Sequence, residues 1–189
     1  MSIEIIQATP NDLPAYAAIR IMFLVKNTVN IKQSTDGTFG LIEHKLDAPY
    51  IKDYDSIMSP TTWKERFDIS AWSFFLAFEN NNLVGGATIA TRNNDVGMLE
   101  DREDLGVLWD IRVRPEKRGT GIGSQLFRAS EEWSRKNGLN ELKIETQSNN
   151  LPAIRFYQRQ GCTLRQITPY AYPEFPDEVQ LLWYKDLLH

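Results

Sequence analysis

The pattern of apolar and polar residues is hard to read in the first third of the chain and clearer from residue 71 onward. Ile3, Ile5 and Ile6 predict a strand over 2–8, and Pro10 and Asn11 a turn. Asp12 can cap a helix on which Ala15, Ala18, Ile19 and Met22 lie near helical spacing. Residues 29–33 read as extended, 34–37 as a turn and 39–45 as partly strand-like. The stretch 48–60, with Pro49 and Pro60 among tyrosines and aspartates, predicts a shaped loop with a short helix, and 61–67 a short helix around Trp63.

Strands are predicted at 72–78 and 83–92, joined by a hairpin, with Gly85-Gly86 marking a bulge or close packing. Residues 93–104 read as an acidic, solvated connection, and 105–113 as a strand ended by Pro115. The strongest helix is 121–136, where Ile122, Leu126, Ala129 and Trp133 share a face opposite Glu131, Glu132, Arg135 and Lys136, with Gly138 at its exit. A strand at 139–146, a helix at 151–159, an extended segment at 163–168 and a strand at 179–185 complete an α/β pattern with at least one parallel crossover.

Chemistry concentrates where strand meets helix, in the run Arg118-Gly119-Thr120-Gly121-Ile122-Gly123. Glycines permit a tight turn, and the unpaired amides of a first helical turn favour a phosphate. A P-loop would need Gly-x-x-x-x-Gly-Lys before Ser or Thr, and the lysine is missing; a dinucleotide fingerprint from Gly119 would need glycine where Ser124 stands. Both common readings are weakened, and another kind of nucleotide site stays open.

The 189 residues suit one domain, 1–189, with a substantial core. A formal charge of -4 disfavours nucleic acid and anionic membranes and suits a cationic substrate. Cys162 is the only cysteine and reads as a buried small hydrophobe; His44 and His189 lack neighbours at metal-site spacing, so no metal is expected. Five tryptophans and seven tyrosines offer rings for pockets or interfaces. With no secretion signal or membrane-length apolar run, a cytoplasmic protein is expected, and a homodimer is compatible.

The strand Leu108-Trp109-Asp110-Ile111-Arg112-Val113 followed by Arg118-x-x-Gly121-x-Gly123 resembles the acyl-coenzyme A binding core of the GNAT acetyltransferase superfamily. A second ordered signature follows: Leu142-Lys143-Ile144-Glu145-Thr146, then Asn150, Ala153, Phe156-Tyr157 and Gly161. The streptothricin acetyltransferase branch is similar at Ala48-Pro49-Tyr50, Glu145-Thr146-Gln147, Asn149-Asn150, Tyr172, Phe175-Pro176 and Trp183-Tyr184. One departure is Cys162, where many GNAT chains place phenylalanine.

The resemblance implies the GNAT acyl-CoA N-acyltransferase fold, with a mixed central sheet and flanking helices, and transfer of acetyl from acetyl-CoA to a primary amine of a small molecule. Cofactor contacts are implied at Ile111, Arg112 and Val113, whose backbone would meet the pantetheine arm at a bulge while the Ile111 and Val113 side chains face the core. They are implied also at Arg118, Gly119, Thr120, Gly121, Ile122, Gly123 and Ser124 under the pyrophosphate, and at Asn150. Tyr157 would protonate the leaving thiolate or pack at the cofactor wall. Because an alkyl ammonium with a pKa of about 10.4 cannot attack until it loses a proton, Glu145 and Asp110 are candidates for proton removal or acceptor positioning, against structural roles. Tyr50, Tyr54, Tyr172 and Glu178 are candidate acceptor contacts. A peptide or protein amine acetyltransferase and a noncatalytic acyl-CoA sensor remain the alternatives.

Overall fold

The computed structural model describes residues 2–35 and 38–188. In chain order its elements are β1 (Ile3–Ala8), α1 (Leu13–Ala17), β2 (Phe23–Gln33), β3 (Phe39–Lys52), α2 (Trp63–Arg66), β4 (Ser73–Glu79), β5 (Asn82–Ala90), β6 (Leu105–Val113), α3 (Ile122–Lys136), β7 (Glu141–Gln147), α4 (Leu151–Arg159), β8 (Thr163–Thr168) and β9 (Gln180–Asp186), with short 3-10 turns between several of them. They group into two compact units, one of Met1–Met22, Asp53–Lys143 and Asp186–His189, the other of Phe23–Lys52 and Ile144–Lys185. Each unit is assembled from separated stretches, so composition along the chain carries no trace of the division.

In the first unit β1, β4, β5 and β6 form an antiparallel ladder. The central strands are buried on both faces, which explains why 72–92 read as near-continuous apolar runs. Leu13, Tyr16, Trp63, Trp72, Phe74, Leu76, Leu99 and Val107 belong to one buried cluster, joined by Trp109 at its margin. Trp72 and Trp109 pack with their rings tilted and centroids 5.1 Å apart, and Trp63 meets Trp109 edge-on at 6.5 Å. These tryptophans are core residues first. α1 is only one turn and a half, and its inward face is Leu13 and Tyr16, continued by Ile19, not the predicted alanine face: Ala15 and Ala18 are exposed because they offer less apolar area to bury.

The predicted solvated loop at 93–104 is instead tied down. Val96 and Leu99 are buried, the Asn93 amide donates to the Asp68 carbonyl at 2.7 Å, and Lys143 donates to Glu100 at 2.5 Å. α3 buries Ile122, Leu126, Phe127, Ser130 and Ser134, while Ala129 and Trp133 are only half-buried. Its inward stripe is therefore rotated from the predicted one. Ile122 and Leu126 pack closely on β5 where Gly85 lacks a side chain: a Cβ built there would lie 3.0 Å from a Leu126 methyl.

In the second unit β2 and β3 form a long antiparallel hairpin, and β8 pairs with β9. β3 continues through 48–52, where a loop was expected. Its register passes from Asn27 opposite Lys45 to Val25 opposite Tyr50, so Pro49 occupies an irregularity in which its missing N–H costs no ladder bond. Of the predicted turn at 34–37, Asp36 and Gly37 lie outside the described residues, as do Met1 and His189. Cys162 is buried, as its neighbours suggested. Among the described residues no helix is long and apolar enough to cross a membrane.

Gly86 fixes the distance between β5 and α1, since an added Cβ would lie 2.5 Å from the Tyr16 ring and 3.0 Å from the Phe75 carbonyl oxygen. Gly86→Ala is expected to destabilise the fold by about 1–3 kcal/mol through overpacking, read as a lower urea midpoint at unchanged slope.

Candidate functional site

The glycine run begins with backbone geometry. Gly119 and Gly121 have φ of 79° and 90°, a region other residues enter at a cost, and a Cβ at either would meet nothing within 4 Å. Crowding is not why they are glycines; the turn is. Gly121 is the N-cap of α3, and as glycine it supplies no side-chain acceptor to the first-turn amides. The 15-residue helix directs the positive end of its dipole at that open turn, which suits an anion.

Arg118 supports this turn from below. Its guanidinium donates to the carbonyl oxygens of Val113 at 3.1 Å, Met22 at 2.9 Å and Arg20 at 3.3 Å, tying the end of β6 to the segment after α1. The Thr120 hydroxyl donates to the Lys117 carbonyl at 2.7 Å. Both side chains shape the loop.

Arg112, whose backbone is the expected cofactor contact on β6, has a buried side chain. It donates to Asp110 at 2.8 and 2.5 Å, to Asp55 at 3.1 and 3.3 Å and to the Ile19 carbonyl at 3.0 Å, with its guanidinium carbon 5.0 Å from the Tyr16 ring centre. Ile111 and Val113, expected to face the core, are half-buried instead, because strand alternation gives the inward position to Arg112. The bulge expected at 111–113 lies earlier: Thr88 pairs with Asp110 and Ile89 with Leu108, leaving Trp109 as the extra residue. Burial pushes the Asp110 carboxyl above its usual range, against the pull of Arg112. It also pushes the Tyr16 phenol well up, with the Asp110 charge acting in the same sense. Tyr54 stands in the 3-10 turn Tyr54–Ser56, which Asp55 fastens to Arg112.

In the second unit Glu145 and Tyr172 come together. The Tyr172 hydroxyl donates to Glu145 Oε1 at 2.6 Å, Gln180 donates to Oε2 at 2.7 Å, and Gln147 donates to Oε1 at 3.2 Å and to the Tyr172 oxygen at 3.0 Å. Glu178 is elsewhere, in a buried ion pair with Lys52 at 2.5 Å whose ammonium sits 3.5 Å from the Phe175 ring centre. Tyr50 accepts from Asn149 at 3.0 Å. Asn150 caps α4, its side chain accepting from the Ala153 amide at 3.2 Å. Tyr157 is 5% exposed on α4, edge-on to Phe156 at 5.2 Å. Phe156 itself is half-buried.

Sequence reading missed Asp55, Gln147, Gln180 and Lys52. Asp55 stands 57 residues before Arg112, and Gln180 35 residues after Glu145, so only the fold joins them. Gln147 was within reach, two residues from Glu145 on the same face of β7.

The model of the family described as "Acetyltransferase (GNAT) family" matches residues 41–162. Streptothricin acetyltransferase A of Bacillus subtilis (strain 168) is 26% identical over 151 residues, covering 79% of this chain and 80% of its own. The crystal structure of a nourseothricin acetyltransferase superposes with a TM-score of 0.76 at 24% identity, covering 99% of both chains. A Bacillus anthracis str. Ames protein provisionally described as a streptothricin acetyltransferase, in complex with acetyl coenzyme A, gives a TM-score of 0.80 at 20% identity over 98% of this chain and 99% of its own. These structures show the fold expected from the sequence: the GNAT acyl-CoA N-acyltransferase fold, with a mixed central sheet and flanking helices.

Replacing Arg112 with Met would leave Asp110 and Asp55 without their counter-charge in a buried setting. A loss of about 3–5 kcal/mol is expected, measured by urea unfolding, and Arg112→Lys is expected to recover only part because it cannot bridge both carboxylates.

Proposed function

We propose that this chain, which belongs to the acetyltransferase (GNAT) family, transfers acetyl from acetyl-CoA to a primary amine of a small cationic molecule of the streptothricin type. The observation that carries acetyl transfer is the glycine-built N-terminus of α3, an anion cradle inside the segment matched by the family. The likeness to streptothricin acetyltransferases supports the acceptor class.

Bound acetyl-CoA supplies an activated acetyl thioester. The amides of Gly119, Gly121, Ile122, Gly123 and Ser124 hold its pyrophosphate, with Thr120 and Arg118 keeping the turn in shape. Backbone groups of Ile111, Arg112 and Val113 hold the pantetheine arm, while the Arg112 side chain remains structural. Asn150 acts by starting α4, the helix that presents Tyr157. The Tyr157 hydroxyl holds a proton for the departing thiolate, and burial of the ring limits competing water.

The amine must lose its proton before it attacks. Asp110 and Glu145 are the carboxylates proposed for this chemistry, and their surroundings divide the work. Asp110 is bound by a guanidinium and serves charge positioning; Glu145 meets only neutral donors among the described residues and serves the cationic acceptor. Tyr50, Tyr54 and Tyr172 are proposed as acceptor contacts. Glu178, being neutralised by Lys52, acts by holding 169–179 in place.

An acetyl-CoA consumption screen over small amines and peptides, with mass spectrometry of products, tests the function. Coenzyme A release with an acetylated small amine is expected; acetylated peptide alone would move the acceptor to the protein class, and binding of acetyl-CoA without product would make the chain a sensor. Tyr157→Phe is expected to lower kcat by about a hundredfold or more while the acetyl-CoA Kd changes little. Unchanged turnover would remove Tyr157 from the acid role.

A further inference from the structure

We infer that Glu145, Gln147, Tyr172 and Gln180 form a docking site for a second, non-reacting cationic nitrogen of the acceptor, so that the preferred substrate carries at least two basic nitrogens. The inference rests on the acetyl-transfer reading and assigns to this network a task different from proton removal. All four residues belong to the second unit, three on β7 and β9 and Tyr172 on the segment between β8 and β9.

The hydrogen bonds carry the argument through their direction. Glu145 accepts from the Tyr172 hydroxyl, the Gln147 amide and the Gln180 amide, at 2.6, 3.2 and 2.7 Å. Three neutral donors fix the carboxylate without cancelling its charge. Each amide that turns its NH2 toward Glu145 turns its carbonyl oxygen away, because the two groups lie on opposite sides of the same planar unit. The network therefore keeps one negative charge, oriented by neutral donors alone. A ligand rich in N–H donors and positively charged, an alkyl ammonium or a guanidinium, satisfies such a site; a carboxylate or phosphate does not.

Glu178 provides the contrast within the same unit. That carboxylate is buried against Lys52, with the lysine over Phe175, so its charge is already matched. Glu145 is half-buried and its partners carry no charge.

Chemistry then separates anchoring from reaction. A carboxylate beside an ammonium favours the charged form and raises the amine's pKa, which opposes the proton loss that attack requires. A nitrogen held at Glu145 is thus a poor nucleophile and a good handle. The reacting amine is another nitrogen of the same molecule, and Gln147 and Gln180 become specificity-determining residues.

Two measurements test this. Kinetics with 1,5-diaminopentane and 1-aminopentane are expected to favour the diamine through KM, and Glu145→Gln to reduce that preference by about ten- to a hundredfold. A uniform fall in kcat for both amines with the preference kept would make Glu145 a base and overturn the inference. Calorimetry with 1,5-diaminopentane in the absence of acetyl-CoA is expected to show binding that weakens in Gln180→Leu and Gln147→Leu, each checked for native thermal unfolding; binding unchanged in both would overturn it too. Diamine binding to a protein that releases no coenzyme A would sink the acetyl-transfer reading while keeping the site. Acetylation of monoamines by a protein without diamine preference or binding would do the reverse.

Discussion

A single buried guanidinium holds the interior of the first unit together around β6. Arg112 projects from β6 into the interior, where an unpaired charge would cost several kcal/mol, and is compensated by Asp110, Asp55, the Ile19 carbonyl and the face of Tyr16. Those partners come from β6 itself, from the turn carrying Tyr54, from the end of the α1 segment and from α1. One side chain thereby sets the positions of three pieces of chain that local propensity leaves undetermined. Arg118 repeats the device a short way along, spending its donors on the carbonyls of Val113, Met22 and Arg20. The side chains of both arginines are spent on holding neighbouring chain in place.

The second unit solves the converse problem, keeping a negative charge ready. Lys52 neutralises Glu178, and the pair closes the segment before β9 onto β3. Glu145 is instead fixed by a tyrosine and two glutamines. Hydrogen bonds from neutral groups orient a carboxylate at little cost to its charge, whereas an ion pair would consume it. The same residue type thus performs a structural task at one position and, as proposed, a recognition task at the other.

What was legible in the sequence follows from how local each signal is. The bounds of β6, β8 and α4 and the left-handed glycines at Gly119, Gly121 and Gly138 agree with their reading because turn geometry and capping act within a few residues. Errors arose where distant packing decided the outcome. Tyr16 rather than Ala15 defines the inner face of α1, since the core rewards area; the buried stripe of α3 runs through Phe127, Ser130 and Ser134 rather than Ala129 and Trp133; Val96 and Leu99 draw an acidic loop inward. At the site, residue types were readable and partners were not. Glu145 and Tyr172 could be named separately, but the bond between them spans 27 residues, and Asp55 had no sequence signal beyond one aspartate among several.

The most direct test of the cofactor assignment is a crystal structure of the protein with coenzyme A. The pyrophosphate oxygens should lie within hydrogen-bond distance of backbone amides in 119–124, with the Arg112 guanidinium still bound to Asp110 and Asp55. A pyrophosphate held away from that turn, or by the Arg112 side chain released from its carboxylates, would contradict the assignment of the α3 N-terminus as the cradle and of Arg112 as its frame.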